Sequence, residues 1–146
     1  MIVKLIWVLL LLTVVFAVYV RVAPYDQGKW HVPSTRDAIG DFDTLNTFEA
    51  VRGMTADPTD ILEALELVIL KDARTTRVSG APKNKLVTYQ TRSFLFGYPD
   101  YTTVSVLDGR LVSIHGRARF GKSDIGQNAK RINRWIDAMG PLLVSQ

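Results

Sequence analysis

The chain has 146 residues, room for one domain and an appendage but tight for two packed domains. It has no cysteine, which excludes disulfide staples, thiol catalysis and cysteine-ligated metal centres. It has only two histidines, His31 and His115, far apart in sequence, so no histidine-rich metal site is expected and only a carboxylate-based one stays open. The formal net charge is +4, and the excess is local: Arg110 to Arg134 carries seven Lys or Arg and one acid, Asp124. Such a cluster suits phosphate, anionic lipid or an acidic partner, or else forms a solvated helix face.

The chain opens with an apolar run. Leu5 to Val20 holds no charge, and only Lys4 separates it from Ile2 and Val3. A helix rising about 1.5 Å per residue needs roughly twenty such residues to cross the hydrocarbon layer. Lys4 can snorkel to the headgroups, and Tyr19 suits the far interface. Val15-Phe16-Ala17 offers a rival signal-peptide cleavage pattern, but the apolar run continues past it to Val20. Residues 1–22 are therefore read as an uncleaved transmembrane signal anchor. The short N-terminal tail and Lys4 favour a cytoplasmic N-terminus, which would put the rest in the periplasm of a bacterial inner membrane. Residues 23–46, with prolines and turn formers and no sustained period, read as an extended tether.

The domain proper is expected over residues 47–146. Thr47 to Met54 is a short strand candidate. Asp57-Pro58 opens a helix: Asp57 caps, proline fits the first turn, and Asp60 suits the positive end. Ile61, Leu62, Leu65, Val68 and Ile69 give it a buried face. Thr75 to Ser79 is a possible strand, and Gly80 to Asn84 a turn. Lys85 to Phe96 is rich in β-branched and aromatic residues and reads as a strand.

Tyr101 to Leu107 and Leu111 to Phe120 form a hairpin whose register can be derived. A two-residue turn would split Val104 and Val106 from Val112 and Ile114. A three-residue turn pairs Leu107 with Leu111 and puts all four on one face, so burial selects it. Gly116, Ala118 and Phe120 continue that face, and Ser113, His115, Arg117 and Arg119 point the other way. The last helix is expected from Ser123, its N-cap, to Met139, with Ile125, Ala129, Ile132, Ile136 and Met139 as its apolar stripe. Gly140-Pro141 stops it. The fold class is α+β: an antiparallel sheet with two helices packed on one face, behind one N-terminal transmembrane helix.

Gly116 to Ser123 reads GRARFGKS and fits the phosphate-loop pattern G-x-x-x-x-G-K-[ST]. Its context argues against that chemistry. None of the intervening residues is glycine, the preceding strand is antiparallel, and no strand follows to supply a magnesium-binding aspartate. A helix start flanked by Arg117, Arg119 and Lys122 can still attract an anion. The alternative is structural: Asp124 pairs with the arginines and caps the helix, and Asp124, Asn128 and Arg131 on one stripe brace it against the sheet.

The stretch Gly116 to Ile132 resembles the C-terminal signature of the bacterial domain-of-unknown-function family numbered 1499, R-x-R-x-G-x-S-D-x-G-x-N-x-x-R-[IV]. The matching positions are Arg117, Arg119, Gly121, Ser123, Asp124, Gly126, Asn128, Arg131 and Ile132. Thr91 to Tyr101 resembles its T-x-S-x-x-x-G-[FY]-x-D-Y segment, and DARTTRVSG and WHV-P are similar to a proteobacterial, membrane-anchored branch. An Asn-Cys motif of some members has no counterpart here. The resemblance implies no activity. Lys122 falls at a free position of the signature, which speaks further against a phosphate-gripping lysine.

Three functions follow as expectations. The first is a non-catalytic, membrane-anchored envelope domain, held to lipid by its helix and binding an anionic ligand or an envelope protein. The second is a hydrolase using Asp124 with His115. The third is a lipid-handling module with an acyl chain between sheet and last helix. The candidate site is Arg117, Arg119, Ser123, Asp124, Asn128 and Arg131, in an anion-binding or structural role. No catalytic residue, metal or cofactor is expected. Nor is nucleic acid, since the aromatic residues do not interleave with the basic run.

Overall fold

Successive strand residues face opposite sides of a sheet, so strand pairing decides what each face carries. The computed structural model describes residues 1–145. In chain order the elements are α1 (Ile2–Val22), α2 (Gln27–Trp30), β1 (Gly40–Asp43), β2 (Thr47–Met54), α3 (Pro58–Ile69), β3 (Thr75–Ala81), β4 (Leu86–Arg92), β5 (Pro99–Leu107), β6 (Leu111–Ala118), α4 (Gln127–Met139) and β7 (Leu143–Val144). The strands form one antiparallel sheet in the order β1-β2-β6-β5-β4-β3, and the short β7 also pairs with β2. The α+β class, with two helices on one face and an apolar helix in front, is what the sequence led us to expect.

The β5–β6 hairpin has the three-residue turn that burial requires. Leu107 pairs with Leu111, Val106 with Val112 and Val104 with Ile114. Asp108 and Gly109 bend the chain at φ values of 45° and 71°. Val104, Val112 and Ile114 are buried together with Phe48, Ala50, Val87 and Tyr89. Against them lie Ile61, Leu62, Leu65 and Ile69 of α3 and Ile132, Trp135 and Met139 of α4. The α3 cap is as expected, with Asp57 Oδ1 accepting from Thr59 N at 2.8 Å.

Several boundaries differ from expectation. The strand expected to run to Phe96 ends at Arg92, where Ser93 N donates to Tyr98 O and closes a loop, leaving Phe94 and Leu95 82% and 71% exposed. The helix expected from Ser123 begins at Gln127, after Gly126 in the left-handed region at φ 70°. Ile125 is therefore off the helix and 87% exposed, not part of its stripe. The buried stripe runs instead through Asn128, Ile132, Trp135 and Met139.

The largest difference is the segment 23–46, expected as an extended tether. It forms α2 and the edge strand β1, which pairs with β2. Between them it lies as a strap across the face opposite the helices. That face is polar by alternation, and Glu49, Thr88, Thr103, Ser105 and Ser113 are buried on it. Trp30 packs on Tyr101 with ring centroids 4.7 Å apart, and Tyr25 on the same ring at 5.3 Å. Trp30 O accepts from Thr103 Oγ1 at 2.6 Å and from Arg117. Ser34 N donates to Ser105 Oγ at 3.1 Å.

At α1 the chain has 21 helical residues, long and apolar enough to cross a membrane. Its last turns touch the domain. Val20 is buried, and Phe16 and Tyr19 meet Tyr98 and Phe120 edge to face.

At Gly116 α4 packs tightly on the sheet. A Cβ there would lie 2.8 Å from Asn128 Oδ1 and 3.0 Å from Ile132 Cδ1. Gly116→Ala should cost about 1–3 kcal/mol by overpacking. Urea unfolding of the detergent-solubilised chain measures it; an unchanged midpoint would mean that α4 does not lie this close.

Candidate functional site: a basic cleft at the start of the last helix

The residues singled out in the sequence divide between the two faces of the sheet. Arg117 and Arg119 lie on the strap side, as the β6 alternation dictates. Arg117 donates to the carbonyls of Lys29 and Trp30 and, at 2.7 Å, to Thr103 Oγ1. Its guanidinium also sits over the Trp30 ring, 5.3 Å from the centroid. Arg119 donates to Pro24 O at 2.7 Å and to the Tyr101 hydroxyl at 3.3 Å. Both arginines therefore clamp the strap. Neither pairs with Asp124, the partner the sequence reading offered them.

Asp124, Asn128 and Arg131 lie together on the helix side. Asp124 accepts from Gly126 N at 3.0 Å and from Asn128 N at 2.9 Å, and its own amide donates to Leu45 O. It is the capping side chain of α4, the role expected of Ser123. Ser123 accepts only from Ile125 N, at 3.1 Å, in an exposed loop. Asn128 is fully buried, and its Oδ1 accepts from Arg131. Arg131 also reaches Asp100 of β5 at 3.1 Å, tying helix to sheet. Burial pushes the Asp100 carboxyl above its usual range, while Arg131 pulls it back.

The phosphate-loop geometry is absent. Gly116 to Ala118 belong to antiparallel β6, and the helix starts only after Gly126. The hydrolase pair is also apart: His115 faces the strap, beside Glu49 at 4.0 Å, while Asp124 caps α4 on the other side. No acyl chain fits beneath α4, because Ile132, Trp135 and Met139 fill that space.

What the helix side does present is a cleft of about 560 Å³ that the sequence showed only through the basic residues of α4. It opens between the start of α4, the ends of β3 and β4, and the loop after Arg92. Arg74, Arg92, Lys130, Arg131 and Arg134 line it with Asp72 and Asp100, five cations against two carboxylates. Both carboxylates are engaged. Asp72 takes Arg134 and accepts from Trp135 Nε1 at 3.0 Å, and Asp100 takes Arg131. Arg74, Arg92 and Lys130 have no carboxylate partner among the described residues. Arg74 has φ 61°, and its Nε donates to Arg92 O at 3.1 Å, which holds it at the rim. The cleft draws its cations from three places in the sequence, so only the α4 share was visible as a basic run. Among the described residues no group of three or more His, Cys, Asp or Glu is placed to hold a metal.

A second cleft of about 520 Å³ adjoins it, largely apolar, bordered by Phe16, Leu95, Phe96, Phe120 and Ile125. The two share Ser93, Leu95, Asp100 and Gln127 as a common wall.

Fold and clefts together define a small α+β domain with a basic cleft, carried behind an apolar N-terminal helix. The chain belongs to the family described as Protein of unknown function (DUF1499), whose model matches residues 32–139. That span begins within the strap, so the family's unit includes part of the segment the sequence had suggested was a linker. No curated protein matches the chain in sequence.

Two predictions test the division of roles. Asp124→Ala removes the α4 cap and should cost about 1 kcal/mol. Limited proteolysis should then find the strap still protected, whereas Arg117→Ala should open it to cleavage. Early strap cleavage in the Asp124 variant would place both residues in one unit.

The second prediction concerns pH. Burial is the main cause that holds His31 and His115 below the usual imidazole value; Glu49 draws His115 part of the way back. A histidine depressed in the folded state contributes stability that is complete above about pH 6.5 and is lost as pH falls through the folded value. Glu49 is also depressed: hydrogen bonds from Ser113, Ser34 and Arg36, with the His115 charge, outweigh its burial. Its contribution is lost only at lower pH. The melting temperature should therefore drop between pH 7.5 and 5.5, and less steeply in a His31→Gln, His115→Gln double variant. Parallel curves would remove the histidines from the account.

Proposed function

We propose that the protein is a single-pass, membrane-anchored, non-catalytic domain that binds anionic groups at the bilayer surface through the cleft at the start of α4. The contact between the last turns of α1 and the domain carries this reading. Phe16 lies 6.3 Å from Tyr98 and 6.4 Å from Phe120, and Tyr19 lies 6.1 Å from Phe120, centroid to centroid. At about 1.5 Å per residue, these positions fall in the final ~10 Å of the helix, the depth of the headgroup region if α1 spans the membrane. Beside them Phe94, Leu95, Phe96 and Ile125 are 82%, 71%, 45% and 87% exposed. Such a patch is costly in water and suited to a lipid interface.

Retention of the helix is supported by the same packing, since cleavage after Ala17 would remove Phe16 from its place against Tyr98 and Phe120. Lys4 and the short N-terminal tail favour a cytoplasmic N-terminus, hence an inner membrane protein with its domain in the periplasm. Arg74 and Lys130, without carboxylate partners, make the cleft attractive to phosphate or carboxylate groups of a lipid or an envelope protein.

The chain lacks cysteine, so Phe94→Cys gives a single labelling site. An environment-sensitive fluorophore there should shift to the blue when the full chain is reconstituted into vesicles. The same label at Lys83→Cys, far along the sheet, should keep its aqueous emission. Equal aqueous emission at both sites would mean that the domain does not rest on the bilayer. Orientation is read by a C-terminal alkaline phosphatase fusion, expected to be active; an inactive, stably expressed fusion would put the domain in the cytoplasm.

A further inference from the structure

The basic cleft and the apolar cleft lie side by side. Their common wall contains Ser93 and Leu95, both in the loop that follows β4. On one side stand the cations Arg74, Arg92 and Lys130; on the other the apolar surface runs to Phe16 of α1. Each volume lies in the range of about 300–1,000 Å³ typical of small-molecule sites. We propose that this site takes one anionic phospholipid of the surrounding membrane, its phosphodiester between Arg74 and Lys130 and an acyl chain along Leu95 and Phe120 towards Phe16.

Three features select that ligand. The free charge of the basic half is positive, and its two carboxylates, Asp72 and Asp100, already hold arginines, so neither is free to take the ammonium of a zwitterionic headgroup. Phosphate offers the acceptor oxygens that guanidinium groups fit best. The apolar half abuts the membrane-length helix itself, so a lipid could enter sideways, its chains remaining in contact with α1. A free anion would use only half of the site. The inference rests on the membrane-seated reading above, but its test is independent of it: the titration below is done in detergent and reads the cleft alone, whereas the label at position 94 reads seating alone.

The full chain in a neutral maltoside detergent is titrated with dioctanoyl phosphatidylglycerol, dioctanoyl phosphatidylcholine and inorganic phosphate, following the melting temperature. The phosphatidylglycerol should raise it saturably, with the midpoint at lower concentration than for either other probe. Arg74→Gln with Lys130→Gln should move that midpoint about tenfold upward, from the loss of two cations near the headgroup. Leu95→Ser should weaken the lipid and leave the phosphate response unchanged. Both variants alter exposed side chains, and their unliganded melting temperatures report whether they fold. Phosphate matching the lipid would make this a free-anion site, and equal response to both lipids would remove headgroup charge from recognition. An unsaturable response, or a midpoint unmoved in the folded double variant, would likewise overturn the proposal.

Discussion

Arg117 holds the molecule's two halves together. Its guanidinium takes the carbonyls of Lys29 and Trp30 and the hydroxyl of Thr103 while lying over the Trp30 ring. A sheet needs only one buried face, and this one already has its core against α3 and α4. The second face carries threonine, serine, glutamate and arginine, residues that ordinarily meet water. Covering such a face costs desolvation unless every group finds a partner. The strap meets most of that requirement with its own backbone, leaving Arg117 Nε and the Tyr25 hydroxyl buried without a partner. Its carbonyls accept from Thr103, Arg117 and Arg119, and Ser34 N donates to Ser105. Burial of the Arg117 guanidinium depresses its pKa, but an arginine keeps its charge in proteins, so the carbonyls and the ring must hold it.

That clamp also fixes where α1 leaves the domain. Arg119 holds Ala23 and Pro24 immediately after the helix, and Arg92 reaches Arg21 O. The end of α1 is thereby set beside the loop from Ser93 to Tyr98, which brings the apolar cleft against Phe16. The basic run seen in the sequence thus serves two purposes. Arg117 and Arg119 position the N-terminal helix, and the run's α4 members build the cleft.

The separation was implicit in the chain. Once burial sets the hairpin register, Arg117 and Arg119 must face away from Gly116 and Ile114, hence away from α4. A single site combining them with Asp124, Asn128 and Arg131 contradicts the period of two. Reading the signature as one string hid this, because proximity in sequence is not proximity across a sheet. The strap escaped detection for a related reason. Residues 23–46 have no period because they bind through backbone carbonyls and a few aromatic rings, and neither leaves a pattern. A stripe counted from Ile125 passes Trp135 by, because the left-handed Gly126 breaks the chain one residue later. Starting from Asn128 puts Ile132, Trp135 and Met139 in line, but that demands accepting an asparagine on the apolar face. Its Oδ1 accepts from Arg131 and its side chain fits against Gly116, while its Nδ2 is buried without a partner.

On the proposed reading, packing α1 against the domain changes what the cleft must achieve. A domain on a free linker would meet the bilayer at all orientations, and a weak surface site would be empty most of the time. Here the anchor, the clamp and the loop after β4 form one packed unit, so the cleft keeps a fixed depth and direction. Tethering of this kind turns binding into a local event at effective concentrations of order millimolar or more. Two cations, Arg74 and Lys130, then suffice without a deep pocket. The buried Asn128 and Asp100 need not touch a ligand at all. Their task is to hold Arg131, and through it the first turn of α4, so that Lys130 and Arg134 stay at the rim where charge meets the membrane.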